Sequence, residues 1–172
     1  MRLSKQTNFA VRTLVYCAVN EPGLSRVSDI ARAYHISEMF LFKIILPVVK
    51  QGLIETVRGR RGGVRLARPA DQIRLGDVVR ITEESFALSE CMDHEEHLCP
   101  LQGRCAYTRV LRRALESFLA VLDEYTIADL VANWQELEAV LGLQGQPKRP
   151  SGISWGERLH PATAGARFTE KD

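Results

Sequence analysis

Residues 53–67 run Leu53-Ile54-Glu55-Thr56-Val57-Arg58-Gly59-Arg60-Arg61-Gly62-Gly63-Val64-Arg65-Leu66-Ala67, and this stretch decides the fold. The part before the glycines, 53–58, has the β-branched content and the length of a strand. The part after them, 64–67, alternates between apolar and other residues as a returning strand does. A glycine-rich turn that carries arginines joins the two parts, so the sequence predicts a β-hairpin with a cationic tip.

Three short helices are predicted on the N-terminal side of this hairpin. Apolar residues recur at helical spacing over 5–20, 26–34 and 38–50, and breakers such as Pro22 and Gly52 separate these segments. Three short helices followed by a hairpin with a basic tip is the order of a winged helix-turn-helix. We therefore expect a mainly α protein in which residues 1–70 form a winged helix-turn-helix DNA-binding domain with a β-hairpin wing.

The charge of the chain is distributed unevenly along it. Residues 1–70 hold 12 Lys/Arg against 4 Asp/Glu, and residues 71–143 hold 6 against 14, although the net charge of the whole chain is only +2. Such a basic region is also compatible with a solvated surface that binds nothing. Combined with the winged order, however, it predicts that double-stranded DNA is the partner.

Two elements of the predicted domain are expected to touch DNA. The N-terminal part of the third helix enters the major groove, and the wing reaches phosphates or the minor groove. On that helix, a cation can contact phosphate or guanine, and an exposed apolar side chain can contact a thymine methyl group. For Phe42, half-buried packing within the protein is an equal alternative. With Phe40, Leu41, Ile44 and Val48 toward the core, the predicted DNA-binding residues are Ser37, Met39, Phe42, Lys43, Arg58, Arg60 and Arg61.

The second predicted unit, residues 71–143, contains helices around a loop. Helical periodicity covers 75–84, 105–124, 126–131 and 133–141. The long helix over 105–124 carries a wide apolar stripe. We expect this stripe to be buried against a second copy, which makes the chain a homodimer; packing within one chain is the alternative.

The remaining features bear on the ends of the chain and on its location. Residues 144–172 are rich in breakers and polar side chains, so we expect a mostly disordered tail. The sequence contains no run of 18 apolar residues and no signal-peptide pattern at its start. We therefore expect a cytoplasmic protein without a membrane partner.

Three cysteines carry the chemistry of the predicted loop. Cys91, Cys99 and Cys105 lie within 15 residues, whereas Cys17 falls on the apolar face of the first helix. Clustered cysteines in a cytoplasmic protein favour a metal site over disulfides. An iron–sulfur cluster, a zinc site completed by His94 or His97, and redox-sensitive free thiols all remain open, and the cluster is favoured.

The chain also resembles the iron–sulfur winged-helix repressors, the family that includes IscR and NsrR. The resemblance covers about residues 1–143, and within the family the chain is most similar to the rhizobial iron-responsive branch. It is carried by the opening Met1–Arg12, the wing Val57–Leu66, the three-cysteine loop and the segment Ile127–Val131.

The resemblance implies more than the residues alone. It implies a homodimer that holds a 4Fe–4S cluster through Cys91, Cys99 and Cys105 and represses iron-uptake genes when iron is plentiful. It also implies that Arg58 enters the minor groove. Some relatives use an aspartate near the N-terminus, supplied across the dimer, as the fourth ligand. This chain has Asn8 there, and a neutral amide is a poor ligand for iron.

Two classes of function follow for this chain. The first is a DNA-binding sensor, either of iron or, as the alternative, of nitric oxide or redox state. The second is a small redox enzyme that uses the same cysteines. The basic wing and the lack of a cofactor loop or a nucleophile–base pair count against an enzyme.

Overall fold

The computed structural model describes residues 2–93, 99–101 and 104–143. Within these ranges the chain forms seven α-helices and a two-stranded antiparallel sheet, with short 3₁₀ turns at Ala70–Gln72 and Glu90–Met92. The elements are α1 (Lys5–Val19), α2 (Val27–Ala33), α3 (Glu38–Lys50), β1 (Ile54–Val57), β2 (Gly63–Leu66), α4 (Leu75–Thr82), α5 (Ala106–Asp123), α6 (Ile127–Leu130) and α7 (Trp134–Val140).

The three N-terminal helices form the predicted helix-turn-helix. Serine side chains begin two of them, because Ser4 Oγ accepts the Thr7 backbone N–H in α1 and Ser37 Oγ accepts the Phe40 backbone N–H in α3. His35 takes a left-handed conformation, with a φ of 52°, in the turn between α2 and α3. The prediction of a mainly α winged helix-turn-helix is confirmed, and its third helix has the predicted bounds.

The hairpin is tied to the body of the domain. β1 and β2 pair from Ile54–Leu66 to Val57–Gly63, and Ser25 forms a β-bridge with Val64 through N–H···O distances of 2.9 and 2.8 Å. The turn needs glycine at position 62, since a Cβ atom there would lie 2.3 Å from the Val57 carbonyl oxygen. The bridge fixes the base of the wing, while its tip extends into solvent.

One apolar core joins the two predicted units. Side chains of α1, α2 and α3 pack with residues that follow position 70, and the shared buried set includes Leu14, Ile30, Leu41, Ile73, Val78, Ile127 and Val131. Backbone hydrogen bonds reinforce this packing: the Ile127 N–H donates to the Ile73 carbonyl at 2.9 Å. Helices α4 and α6 therefore pack directly on the N-terminal helices.

Helix α5 lies alongside α4 without entering the core. Arg80 binds Asp123 through two hydrogen bonds of 2.6 and 2.7 Å. The helices approach closely at Gly76, where a Cβ atom would lie 1.8 Å from Asp123 Oδ1. No residue of α5 is fully buried. Its apolar face is half-buried at Leu111, Leu115, Phe118, Leu119 and Leu122 and exposed at Tyr107, Val110 and Val121.

The predictions about the tail and about a membrane partner depend on which residues the structure describes. The predicted disordered tail, 144–172, lies outside the described residues, as do His94 and His97. In the described part of the chain, no helix is both long and apolar enough to cross a membrane.

Candidate nucleic-acid interface and cysteine cavity

The outward face of α3 is apolar and solvent-exposed. Met39, Phe42 and Leu46 are 74%, 56% and 57% exposed, and Lys43 is exposed among them. Ser37 is exposed at the start of the helix, where its hydroxyl caps the Phe40 N–H. All four predicted residues, Ser37 before α3 and Met39, Phe42 and Lys43 within it, are therefore accessible. Sequence reasoning missed Leu46, because it is one apolar residue among many in this helix.

Phe40 faces the core as predicted, at its edge. It is only partly buried and packs edge-to-face on Phe9 of α1, with ring centroids 5.7 Å apart and an interplanar angle of 87°. Leu41, Ile44 and Val48 are buried as predicted. The edge-to-face contact with Phe9 therefore joins α3 to α1 at the edge of the core.

The wing presents three free cations. Arg58, Arg60 and Arg61 are exposed, and within the described residues none of their guanidinium groups forms an ion pair or a hydrogen bond. The neighbouring Arg65, by contrast, is paired with Glu55 across the hairpin. Unpaired guanidinium groups at the end of a hairpin are available to phosphates and to the minor groove.

A basic groove between α1 and α3 was not predicted. It has a volume of about 590 Å³, and its lining includes Lys5, Asn8 and Arg12 of α1 and Ser37 of α3. The Arg12 guanidinium lies 5.0 Å from the Phe9 ring centroid and 5.9 Å from that of Tyr34. These contacts orient the Arg12 cation beside the N-terminus of α3. The sequence signal was the spacing of Lys5, Asn8 and Arg12 on the polar face of α1.

The three predicted cysteines line one cavity. Its volume is about 230 Å³, and Leu101, Thr108, Arg109 and Arg112 complete the lining together with Cys91, Cys99 and Cys105. Cys91 and Cys105 are half-buried, and Cys99 is exposed. Two arginines of α5 thus stand beside three thiols, which suits an anionic group.

Hydrogen bonds favour the thiolate form at two of the cysteines. Hydroxyl groups of Ser89, at 3.2 Å, and Thr108, at 3.1 Å, contact Cys91 Sγ and lower the pKa of that thiol. The backbone N–H and the hydroxyl of Thr108 lower the pKa of Cys105, which occupies the N-cap of α5. The thiolate is the metal-binding form of cysteine, so Cys91 and Cys105 could serve as metal ligands.

Cys17 has the opposite environment. It is fully buried in α1, and burial raises the pKa of its thiol to about 12. At neutral pH it is therefore a protonated, apolar side chain and no ligand, as its position on the apolar face of the helix predicts.

Comparison with known proteins assigns the chain to a family. Residues 3–133 match the family described as "Rrf2: Iron-dependent Transcriptional regulator". The chain belongs to the Rrf2 family. It is 55% identical over 150 residues to Protein aau3 of Rhizobium meliloti, a match that covers 87% of this chain and 97% of that protein. It is 40% identical over 145 residues to the HTH-type transcriptional regulator NsrR of Bacillus subtilis, covering 84% and 99% of the two chains.

A solved structure supports the same assignment for this Rrf2 chain. T. potens IscR superposes with a TM-score of 0.60 at 25% identity, covering 80% of this chain and 91% of that one. The Rrf2 match also confirms the prediction of a DNA-binding transcriptional regulator rather than an enzyme.

Proposed function

We propose that this Rrf2 protein is an iron-responsive repressor of iron-uptake genes, which binds DNA as a homodimer under the control of an iron–sulfur cluster. The cluster would be a 4Fe–4S cluster held by Cys91, Cys99 and Cys105. The observation that carries this proposal is the convergence of the three thiols on one cavity. That cavity is part of the same structure as an exposed helix-turn-helix and a cationic wing.

The spread of the three thiols around the cavity fits a cluster. Within the described residues, no group of three His, Cys, Asp or Glu side chains forms a single-ion site, and His94 and His97 lie outside those residues. Thiolates that bind a cluster attach to different irons, so they surround a space instead of meeting at a point. Three cysteines around a cavity fit that requirement.

The surroundings of the cavity also fit an anionic cluster. Arg109 and Arg112 supply positive charge, and the Thr108 hydroxyl lies 3.1 Å from Cys91 Sγ. Hydrogen bonds and nearby charge are the means by which proteins stabilise and tune such groups. When bound, a cluster with three thiolate ligands would supply one iron that is held weakly and exchanges with the iron of the cell.

The chain connects the cavity to the DNA-binding helices. The segment from Glu83 to Cys91 leads from α4 to the cavity. At its beginning, Glu83 Oε1 accepts the Ser4 backbone N–H at 2.8 Å and the Thr7 hydroxyl, which fixes the N-terminus of α1. At its end, Cys91 contacts Thr108 of α5. A change at Cys91 can therefore reach α1, on which α3 packs, through one short segment.

The proposal predicts the metal content of the protein. After anaerobic purification the full chain should be coloured and contain iron and sulfide in equal amounts, with little zinc. Cys91→Ala, Cys99→Ala and Cys105→Ala proteins should each lose most of both. Cys17→Ala serves as the matched control, because Cys17 does not line the cavity and its loss should leave the iron and sulfide unchanged. A colourless wild-type protein with stoichiometric zinc would contradict the cluster.

The homodimer is proposed from the apolar face of α5. Helix α5 has 18 residues, none of them fully buried, and Tyr107 and Val110 are 62% and 64% exposed. An amphipathic helix gains most of its stability by burying its apolar face. A second copy supplies an identical face, and a two-fold arrangement covers both faces at once.

Charged substitutions on this face should separate the protomers. We expect Leu115→Glu/Leu122→Glu protein to sediment as a monomer and to lose affinity for DNA with two half-sites, since a dimer contacts both of them. Glu116→Gln/Glu124→Gln protein is the control, because Glu116 and Glu124 are exposed residues of the same region. This control protein should stay dimeric. Wild-type protein that stays monomeric at micromolar concentration would overturn the proposed dimer.

The alternative function, a sensor of nitric oxide or redox state, uses the same architecture. The observation in its favour is that Cys99 is exposed, while hydrogen bonds lower the pKa of Cys91 and Cys105. Such thiols react readily with oxidants when no metal holds them. The two functions differ in the signal that releases DNA, which is either loss of iron or chemical attack on the site.

A further inference from the structure

The exposed face of α3 carries an apolar stripe that extends past the predicted contact residues. Met39, Phe42 and Leu46 follow one another at spacings of three and four residues, so they lie on one side of the helix. All three side chains are more than half exposed. An exposed apolar stripe of this kind on a soluble domain indicates a contact surface.

The composition of α3 leaves few other ways to distinguish bases. The helix reads Glu-Met-Phe-Leu-Phe-Lys-Ile-Ile-Leu-Pro-Val-Val-Lys, so its polar side chains are Glu38, Lys43 and Lys50. It contains no arginine, asparagine or glutamine, the residues that most often form paired hydrogen bonds with guanine or adenine. Glu38 and Lys43 can pair with cytosine and guanine, and the rest of the exposed face can recognise bases only by apolar contact, whose target in the major groove is the C5-methyl group of thymine.

We propose that this protein recognises its operator largely through thymine methyl groups, which are contacted by a continuous stripe of Met39, Phe42 and Leu46. The inference rests on the DNA-binding function and adds the chemistry by which α3 would select a sequence. From Met39 to Leu46 the helix advances about 10.5 Å. This distance corresponds to about three base-pair steps of about 3.4 Å each. The stripe therefore matches a short run of thymines, on either strand, in each half-site.

The charge around the stripe favours DNA over a protein partner. Lys43 lies four residues after Met39 and three before Leu46, so it shares their face of the helix. Lysine is depleted at the apolar centres of protein–protein interfaces, because burying its charge is costly. Next to DNA the same lysine meets phosphate or guanine. The wing supplies three further exposed cations, Arg58, Arg60 and Arg61, for the same DNA.

Removal of single methyl groups from the DNA tests the inference. The first step is selection of a high-affinity duplex from a random-sequence library, using the anaerobically prepared full chain. Each thymine is then replaced by deoxyuridine, which removes the methyl group and keeps base pairing. We expect about a fourfold loss of affinity for each contacted methyl group. The sensitive positions should cluster in about three adjacent steps of each half-site, and replacements outside the footprint should have no effect.

Protein variants identify which side chain meets each methyl group. Leu46→Ala, Phe42→Ala and Met39→Ala proteins should each lose affinity for the thymine duplex. For each variant there should be one thymine whose replacement by deoxyuridine causes no further loss of affinity, because the substitution has already removed the contact with that methyl group. Val140→Ala is the control, since Val140 is 84% exposed but lies on α7. Its affinity should not change with either duplex.

The outcomes separate this inference from the proposed function. Tight binding of the wild-type protein to duplexes that tolerate every deoxyuridine replacement would overturn methyl recognition and leave DNA binding intact. An equal loss on thymine and deoxyuridine duplexes for all three variants would also overturn it, because their effect would then be structural or would come from contact with another part of the DNA. If the wild-type protein enriches no duplex at all, both the inference and the DNA-binding function fail.

Discussion

Simultaneous replacement of Arg58, Arg60 and Arg61 by alanine is expected to weaken DNA binding by about 100-fold for each bound protomer at about 0.15 M salt. Each cation that contacts a phosphate releases counterions when the protein binds. Each such contact lowers the logarithm of the affinity by about 0.9 for every tenfold rise in salt concentration. Three lost contacts therefore flatten the salt dependence by nearly three units. The variant should lose a comparable factor of affinity for selected and for random duplexes, because electrostatic contacts with the backbone do not depend on sequence.

A matched control separates charge from folding. Glu55→Ala/Arg65→Ala protein loses an ion pair of the same hairpin without a change in net charge. It should keep nearly the wild-type affinity and salt dependence. Fluorescence anisotropy over a series of salt concentrations provides both quantities, and the curves of wild-type and three-arginine variant should converge as salt approaches 1 M. If the wild-type protein and the three-arginine variant have the same affinity and the same salt dependence at every salt concentration, the wing does not contact DNA.

The sequence was sufficient for the elements of the domain because local signals agreed with one another. Ser37 caps α3, Gly52 follows its end, and the apolar positions Leu41, Ile44 and Val48 face the core. In such a segment, propensity, capping and periodicity indicate one structure. The wing was equally clear, since the glycines of the turn are required by its backbone.

The surroundings of the candidate site could not be predicted in the same way. The spacing of the cysteines indicated a metal site, but a loop without periodicity does not reveal that Thr108 would contact Cys91 or that Arg112 would line the cavity. The exposure of Leu46 was also missed, because nearly every position of α3 is apolar and the pattern has no polar face. Both features depend on which element packs against which, and that information is not local.

Removal of iron is expected to have the largest effect on DNA binding. An iron chelator under anaerobic conditions should lower affinity for the selected duplex by about 1,000-fold or more, toward the affinity for random DNA. The physical reason lies in the segment from Glu83 to Cys91, which holds the N-terminus of α1 at one end and a thiol of the cavity at the other. In the proposed dimer, thiols freed from the cluster would release that end, and α3, which packs on α1, would lose its set position relative to the second protomer.

Variants should reproduce and isolate this effect. Cys99→Ala protein should bind the selected duplex as weakly without chelator as the wild type does with it, whereas Cys17→Ala protein should keep the wild-type response. Undiminished affinity in chelator, or full affinity in Cys99→Ala protein, would exclude iron sensing through the three cysteines. Release of DNA by nitric oxide but not by chelator would instead support the alternative sensor.

Position 8 tests where the weakly held iron of the proposed cluster would lie. Asn8 is exposed on α1, donates from Nδ2 to the Ser4 carbonyl oxygen at 3.0 Å and does not line the cysteine cavity of its own chain. An aspartate at this position could therefore bind that iron only from the second protomer. We expect Asn8→Asp protein to lose iron several times more slowly than wild type in the same chelator, as followed by the decay of its visible absorbance. The stabilisation should disappear in Asn8→Asp/Leu115→Glu/Leu122→Glu protein, because separated protomers cannot supply the carboxylate. Equal rates of iron loss for Asn8→Asp and wild-type dimers would place α1 of the second protomer away from the cavity.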